Sequence, residues 1–179
     1  KGKDGLFVPT TGSRIVCMGK DVEIQSNNIV AITSKKLHSQ YKLLNIPDEL
    51  GEESMKMLSQ EPEIKNTLDY IQKTDVLVFA IGKADEMAKR RKLPEDKVNE
   101  IISKGAVGEA FGHYFNENGE IVYKLNTAGI DLETFKNVEE SIAIFAGKRK
   151  ANALIALSNI NKNIVLITDE ESAQAILEQ

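Results

Sequence analysis

Three consecutive cations follow a glycine in Gly147-Lys148-Arg149-Lys150, directly after the apolar run Ile142 to Ala146 and before the stretch Ala151-Asn152-Ala153. Cations at a helix N-terminus oppose the macrodipole, at roughly 0.3–1 kcal/mol each, unless an anion sits among them. Backbone N–H groups and lysine together suit a phosphate. The spacing lacks the Gly-x-x-x-x-Gly-Lys-Ser/Thr pattern of a nucleotide-cradling loop, and a solvated basic turn would carry the same residues. A second basic cluster, Lys89-Arg90-Arg91-Lys92, closes the segment that begins Ile81-Gly82-Lys83-Ala84-Asp85. Cations at the end of a short helix favour its dipole, which accounts for most of them. One of Arg90 and Arg91 turned inward would grip a second phosphate in a bidentate fork. Two anion sites would suit a bisphosphate, with Gly82 and Gly147 admitting close backbone approach.

Gln25 shares a helical face with Val22 and Ile29 near a helix start. A polar residue there lies at the core rim or bonds a ligand. Glu109, in Gly108-Glu109-Ala110-Phe111-Gly112, sits among small and apolar neighbours, where a carboxylate must be paired or reach water. It is suited to accept hydrogen bonds from sugar hydroxyls. His38 reads as a surface residue on the polar flank of a helix and His113 as a hairpin-edge histidine. The single cysteine, Cys17, reads as a packing residue: it cannot form an internal disulfide or a Cys-Cys metal knuckle, which fits a reducing, cytoplasmic setting. Nothing here calls for a metal or a cofactor.

The elements that must position these residues are βα units. Leu6-Phe7-Val8, Tyr41 to Ile46, Val76 to Ile81, Ile142 to Ala146 and Ile164 to Thr168 are short runs, most of them apolar on consecutive positions. Such runs predict parallel strands covered on both faces. Between them, Val22, Ile29, Val30, Thr33 and Leu37 fall on one helical face, as do Ile64, Leu68 and Ile71. Helix starts are predicted at Pro47-Asp48, Pro62, Pro94 and Asp169. Asn118-Gly119 between extended runs predicts a small antiparallel hairpin near 114–124. The fold class is therefore α/β: a Rossmann-like, open, mostly parallel sheet with helices on both faces and that one excursion. Right-handed crossovers put the strand C-termini on one edge, where ligands of open α/β sheets bind.

The 179 residues, 41% of them apolar, suit one undivided domain over 1–179, with no internal repeat and no Gly/Ser/Pro-rich linker. A net charge of −4 argues against a bare nucleic-acid-binding module. The longest apolar runs fall far short of the ~20 residues of a membrane span. A start at Lys1 without Met or a signal pattern reads as a portion of a longer cytosolic protein.

The order of several segments completes the reading. Gly19-Lys20-Asp21-Val22-Glu23 with Gln25, Glu61-Pro62, Ile81-Gly82-Lys83-Ala84 to Arg90-Arg91, Glu109-Ala110-Phe111-Gly112 to Asn118-Gly119-Glu120, Gly147 to Lys150 and Thr168-Asp169-Glu170 together resemble the effector-binding domain of SorC-type transcription regulators. The likeness runs over nearly the whole chain and rests on order and spacing rather than on one motif. It implies a fold related to sugar-phosphate isomerases and deaminases, a phosphorylated sugar as effector, with fructose 1,6-bisphosphate foremost, and a homo-oligomer, dimer or tetramer. It also implies DNA contact through a separate N-terminal helix-turn-helix domain. By that resemblance Arg90 and Lys150 fall on phosphate-binding positions and Gln25 and Glu109 on hydroxyl-binding ones. The family's Pro-Ala-Arg-Gly-Gly turn, with its phosphate-binding arginine, is here Pro9-Thr10-Thr11-Gly12-Ser13-Arg14, a departure in which Arg14 either substitutes for that arginine or does not. The family's first βα unit, with its Gly-Gly-Thr-Thr phosphate loop, has no counterpart in these residues.

The expectation is the effector-sensing part of a bacterial repressor of sugar-metabolism genes, which binds without turnover. The same fold hosts sugar-phosphate isomerases and deaminases, so an enzyme is the alternative. Its acid/base candidates are Glu109, Asp85 and His113. A structural oligomerisation module with a dead pocket is the third reading.

Overall fold

The computed structural model describes residues 5–13 and 23–178 and divides into two compact units. The first comprises the chain up to Thr74 with Asn126–Asp131, the second Asp75–Leu125 and Leu132 onward.

In the first unit, β1 (Leu6–Phe7) pairs in parallel with β2 (Gln40–Tyr41) across α1 (Ser26–Lys36). The expected strand Tyr41 to Ile46 ends early for a reason seen in α1. Asn27 accepts the Leu44 N–H at 3.0 Å and donates to the Leu44 carbonyl at 3.1 Å, so one side chain takes both backbone groups that a ladder would need. The buried side of α1 is Asn27, Val30 and Ser34. Ile29 and Leu37, expected on the inner face, are 49% and 60% exposed, and Val22 lies outside the described residues. Pro62 opens α3 (Pro62–Gln72), whose Thr67 and Ile71 are buried. A helix start at Pro47-Asp48 is not observed; α2 (Glu52–Leu58) begins after Gly51. Segment Asn126–Asp131 is stitched in by Gly12 N–H to Ala128 O at 2.9 Å and Ala128 N–H to Asp48 O at 2.8 Å.

The second unit holds two sheets. In the parallel sheet, β8 (Glu140–Ile144) lies between β3 (Val76–Phe79) and β9 (Ile164–Ile167). Leu77, Phe79, Ser141 and Ala143 are buried on one side, where Phe79, Phe111 and Phe135 form a triangle of rings 5.3–5.5 Å apart. The other side is open among the described residues. Val76, Val78, Ile144, Val165 and Ile167 are each about half exposed, so consecutive apolar residues here do not mark a strand covered twice.

The antiparallel excursion is wider than the single hairpin expected near 114–124. Its four strands run in sequence order: β4 (Gly82–Lys83), β5 (Ala106–Ala110), β6 (His113–Asn116) and β7 (Ile121–Lys124). The Asn-Gly signal holds, since Asn116 Oδ1 accepts the N–H groups of Asn118 and Glu120 at 3.0 Å and Gly119 takes φ +82°. The extra hairpin turns at Phe111-Gly112, with φ +55° and +79° between the paired residues Ala110 and His113. Those dihedrals define a two-residue primed turn. Helices α4 (Ala84–Arg90) and α5 (Glu95–Ser103) cover this sheet through Ala84, Ala88 and Ile101 against Tyr114 and Leu125. On α7 (Ala151–Ser158) the contact is closer still: a Cβ on Gly108 would stand 2.8 Å from that of Ala153.

Candidate functional site

The C-terminal ends of the parallel strands in the second unit carry Gly82, Gly147 and Lys150 of the expected residues. After β8 the chain turns at Gly147, with φ +97° and ψ 117°, into a 3-10 turn of Lys148–Lys150 that leads into α7. After β9 comes Asp169, the N-cap of α8 (Glu170–Leu177). Its carboxylate accepts the Ser172 N–H at 2.8 Å and the Gly147 N–H at 3.1 Å, so one residue caps a helix and fixes the neighbouring loop. Ser172, through its N–H, and then the Gly147 N–H hold that carboxyl below the ordinary aspartate range.

The three cations of the turn are not equivalent. Lys148 Nζ lies 3.2 Å from Glu171 and Arg149 Nη1 2.9 Å from Glu86 of α4. Lys150 has no ionic partner among the described residues. Surface carboxylates thus balance two charges, and the third, on the N-cap of α7, is uncompensated among the described residues. Strand β4 adjoins this turn, which brings Gly82 into the same neighbourhood.

Gly82 and Glu109 stand opposite each other in the β4–β5 register. Glu109 is 3% exposed, and its Oε1 accepts the Gly112 N–H at 2.7 Å and Nη2 of Arg91 at 3.2 Å. Of the two alternatives for a carboxylate in this setting, pairing is the one observed. Arg91, the C-cap of α4, is the inward arginine, with its side chain 13% exposed, whereas Arg90 is exposed on the last helical residue. One residue along a helix rotates the side chain by about 100°, so the two arginines serve different surroundings. Sequence reasoning missed the Arg91–Glu109 pair. The available signal was that a carboxylate in an apolar segment requires a cation, and Arg90-Arg91 is the nearest cationic pair upstream.

The second unit therefore contains Gly82, Arg90, Glu109, Gly147 and Lys150. Gln25 belongs to the first unit, as the N-cap of α1, half-buried and with its carbonyl accepting the Ile29 N–H at 3.0 Å. Arg14 lies outside the described residues, as does Cys17. His113 is buried rather than at an exposed edge, and its Nδ1 donates to the Phe111 carbonyl at 3.0 Å. His38 is exposed at φ +51°, just beyond α1. Among the described residues there is no cluster of His, Cys, Asp and Glu that would hold a metal ion, and no helix long and apolar enough to cross a membrane.

Comparison with known proteins places this geometry. The family model described as "Putative sugar-binding domain" matches residues 3–178. The central glycolytic genes regulator of Priestia megaterium is 40% identical over 177 residues, 99% of this chain and 51% of the relative. The regulator of the same name from Bacillus subtilis is 37% identical, with the same coverage. The chain thus spans about half the length of the curated relatives it matches. Among solved structures, the "putative SorC family transcriptional regulator" of Enterococcus faecalis is 38% identical with a TM-score of 0.83, over 96% of this chain and 68% of that one. The sorbitol operon regulator SorC of Klebsiella pneumoniae, 18% identical, shares the fold with a TM-score of 0.84 over 96% of this chain and 57% of its own. With nearly the whole of this chain matched by the family model, and with relatives of this similarity, the chain belongs to the sugar-binding domain family of SorC-type transcriptional regulators.

Proposed function

We propose that this chain senses a phosphorylated sugar, fructose 1,6-bisphosphate foremost, on behalf of a bacterial repressor of glycolytic genes, and that it binds the sugar without converting it. The observation that carries the reading is the uncompensated Lys150 beside Gly147 at the start of α7, flanked by two cations already paired to Glu171 and Glu86. A phosphate there would meet a lysine and the favourable end of the helix dipole. Arg90 would hold a second phosphate and Glu109 the hydroxyls. For Gln25 and Arg14 the reading rests on the family resemblance alone.

The names of the curated relatives support a regulator of glycolytic genes. Each acid/base candidate of an enzyme also has structural work in hand: Glu109 bonds Arg91 and Gly112, His113 bonds a backbone carbonyl, and Asp85 lies 3.5 Å from Lys83. In the whole regulator, acting in the cytoplasm as a homo-oligomer, the sugar would favour one arrangement of the protein and so change the affinity of a DNA-binding domain outside these residues. That coupling is reciprocal, so operator DNA would change sugar affinity by the same factor.

The test is thermal unfolding with fructose 1,6-bisphosphate, fructose 6-phosphate, glucose 6-phosphate and ribose 5-phosphate. A ligand at ~100 times its Kd adds about 2.7 kcal/mol and raises the midpoint by roughly 5–11 °C. A selective rise with the bisphosphate is expected. Sustained turnover of any sugar phosphate, or a uniform absence of shift, would overturn the proposal.

A further inference from the structure

We infer that Arg91 is a positioning residue for the sugar site: it fixes the Glu109 carboxylate in the orientation in which that group receives sugar hydroxyls, without touching the sugar itself. The inference rests on the reading that Glu109 is a hydroxyl acceptor.

Its foundation is the convergence of two rigid elements on one oxygen. Glu109 Oε1 takes the Gly112 N–H at 2.7 Å from the Phe111-Gly112 turn and Arg91 Nη2 at 3.2 Å from the end of α4. Both supports are themselves held. The turn is closed by the Ala110–His113 pair, and Phe111 is locked between Phe79 and Phe135. The Arg91 N–H bonds the Met87 carbonyl at 2.9 Å, which fixes the helix end. With side-chain exposures of 13% and 4%, the pair is shielded from water, and a carboxylate in that setting keeps its direction only while its cation is present. Electrostatics points the same way. The Arg91 charge offsets that of Glu109, so a phosphorylated ligand nearby meets a paired carboxylate instead of a bare one. Arg91 thus supports a site of two opposite chemistries, hydroxyl and phosphate, from one position behind it.

The experiment compares wild type with Arg91→Lys, Glu109→Gln and the double variant, by calorimetric titration with two probes: fructose 1,6-bisphosphate, and 1,6-hexanediol bisphosphate, which carries the phosphates but no sugar hydroxyls. Lysine keeps the charge and loses the planar fork. Arg91→Lys is expected to weaken the sugar bisphosphate about tenfold and the hydroxyl-free probe less than about twofold, with thermal unfolding little changed. On the Glu109→Gln background the same replacement is expected to add little, because the group that it positions has already been altered. Equal losses for both probes would make Arg91 a general anion or folding residue and overturn the inference, as would an undiminished loss on the Glu109→Gln background or no loss at all. If Glu109→Gln itself leaves the ratio of the two affinities at the wild-type value, it is the hydroxyl reading of Glu109 that fails. Should Arg91→Lys fold poorly, Arg91→Gln on the Glu109→Gln background takes its place, because it removes both charges of the buried pair and leaves neither unpaired; a further loss of sugar-bisphosphate affinity there, relative to Glu109→Gln alone, would overturn the inference.

Discussion

Replacing Lys150 by alanine tests the site at its most specific point. A hydrogen bond from a charged donor to phosphate contributes about 1.5–3 kcal/mol, so Lys150→Ala is expected to weaken fructose 1,6-bisphosphate binding about 10- to 100-fold. The neighbouring cations supply the control. Lys148 and Arg149 are 65% and 74% exposed and already face Glu171 and Glu86. Exposed pairs of this kind are worth about 0–1 kcal/mol, so Lys148→Ala and Arg149→Ala should each change affinity by less than about fivefold. Calorimetric titration of the three variants at one fixed ionic strength of about 0.1 M keeps screening constant across them. Three equal losses would mean that the turn acts as a diffuse basic patch, and a Lys150→Ala protein that binds as tightly as wild type would refute the assignment.

Three further perturbations follow from the same geometry. Glu109→Ala leaves Arg91 and the Gly112 N–H without their carboxylate and should cost about 3 kcal/mol in urea unfolding, the lower end for breaking a buried pair because Arg91 is 13% exposed; a change under about 1 kcal/mol would show the pair to be dispensable. Gly147→Ala should destabilise by about 1–2 kcal/mol through backbone strain alone, since φ is +97° and a Cβ there would meet nothing within 4 Å; an unchanged unfolding midpoint would contradict that. Asp169→Ala removes the cap of α8 and should lower Tm at neutral pH. The folded carboxyl titrates below its unfolded value, so its stabilisation is complete above the ordinary aspartate range near about 4 and is lost as pH falls through the lower, folded value. The Tm gap between wild type and variant should therefore close in strong acid, and a gap independent of pH would exclude the linkage.

What the sequence made legible was what local chemistry decides. The β-branched runs marked β1, β3, β8 and β9, and Pro62 and Asp169 marked helix starts that form where expected. The misses share a cause, namely partners distant along the chain. Tyr41 to Ile46 reads as one strand until Asn27 takes the backbone of Leu44. The turn at Phe111-Gly112 was hidden because an aromatic residue rarely takes a positive φ; Phe79 and Phe135 hold it there. At the proposed site, the sequence could single out the basic clusters Gly147 to Lys150 and Arg90-Arg91, but not rank the residues within either cluster. That ranking depends on Glu86, Glu171 and Glu109, whose carboxylates neutralise Arg149, Lys148 and Arg91.

The side of the parallel sheet that is open among the described residues bears on how this chain behaves as a solute. Val78, Ile142 and Val165 lie in one row of the register and Ile144 and Ile167 in the next, a continuous hydrocarbon surface rather than scattered exposed residues. Surfaces of that kind attract one another more strongly as temperature rises, because apolar hydration becomes less favourable on warming from the cold. Samples of these residues alone should therefore turn cloudy on mild heating while the secondary structure is still intact, and clear again on cooling, with the onset moving to lower temperature as protein concentration increases.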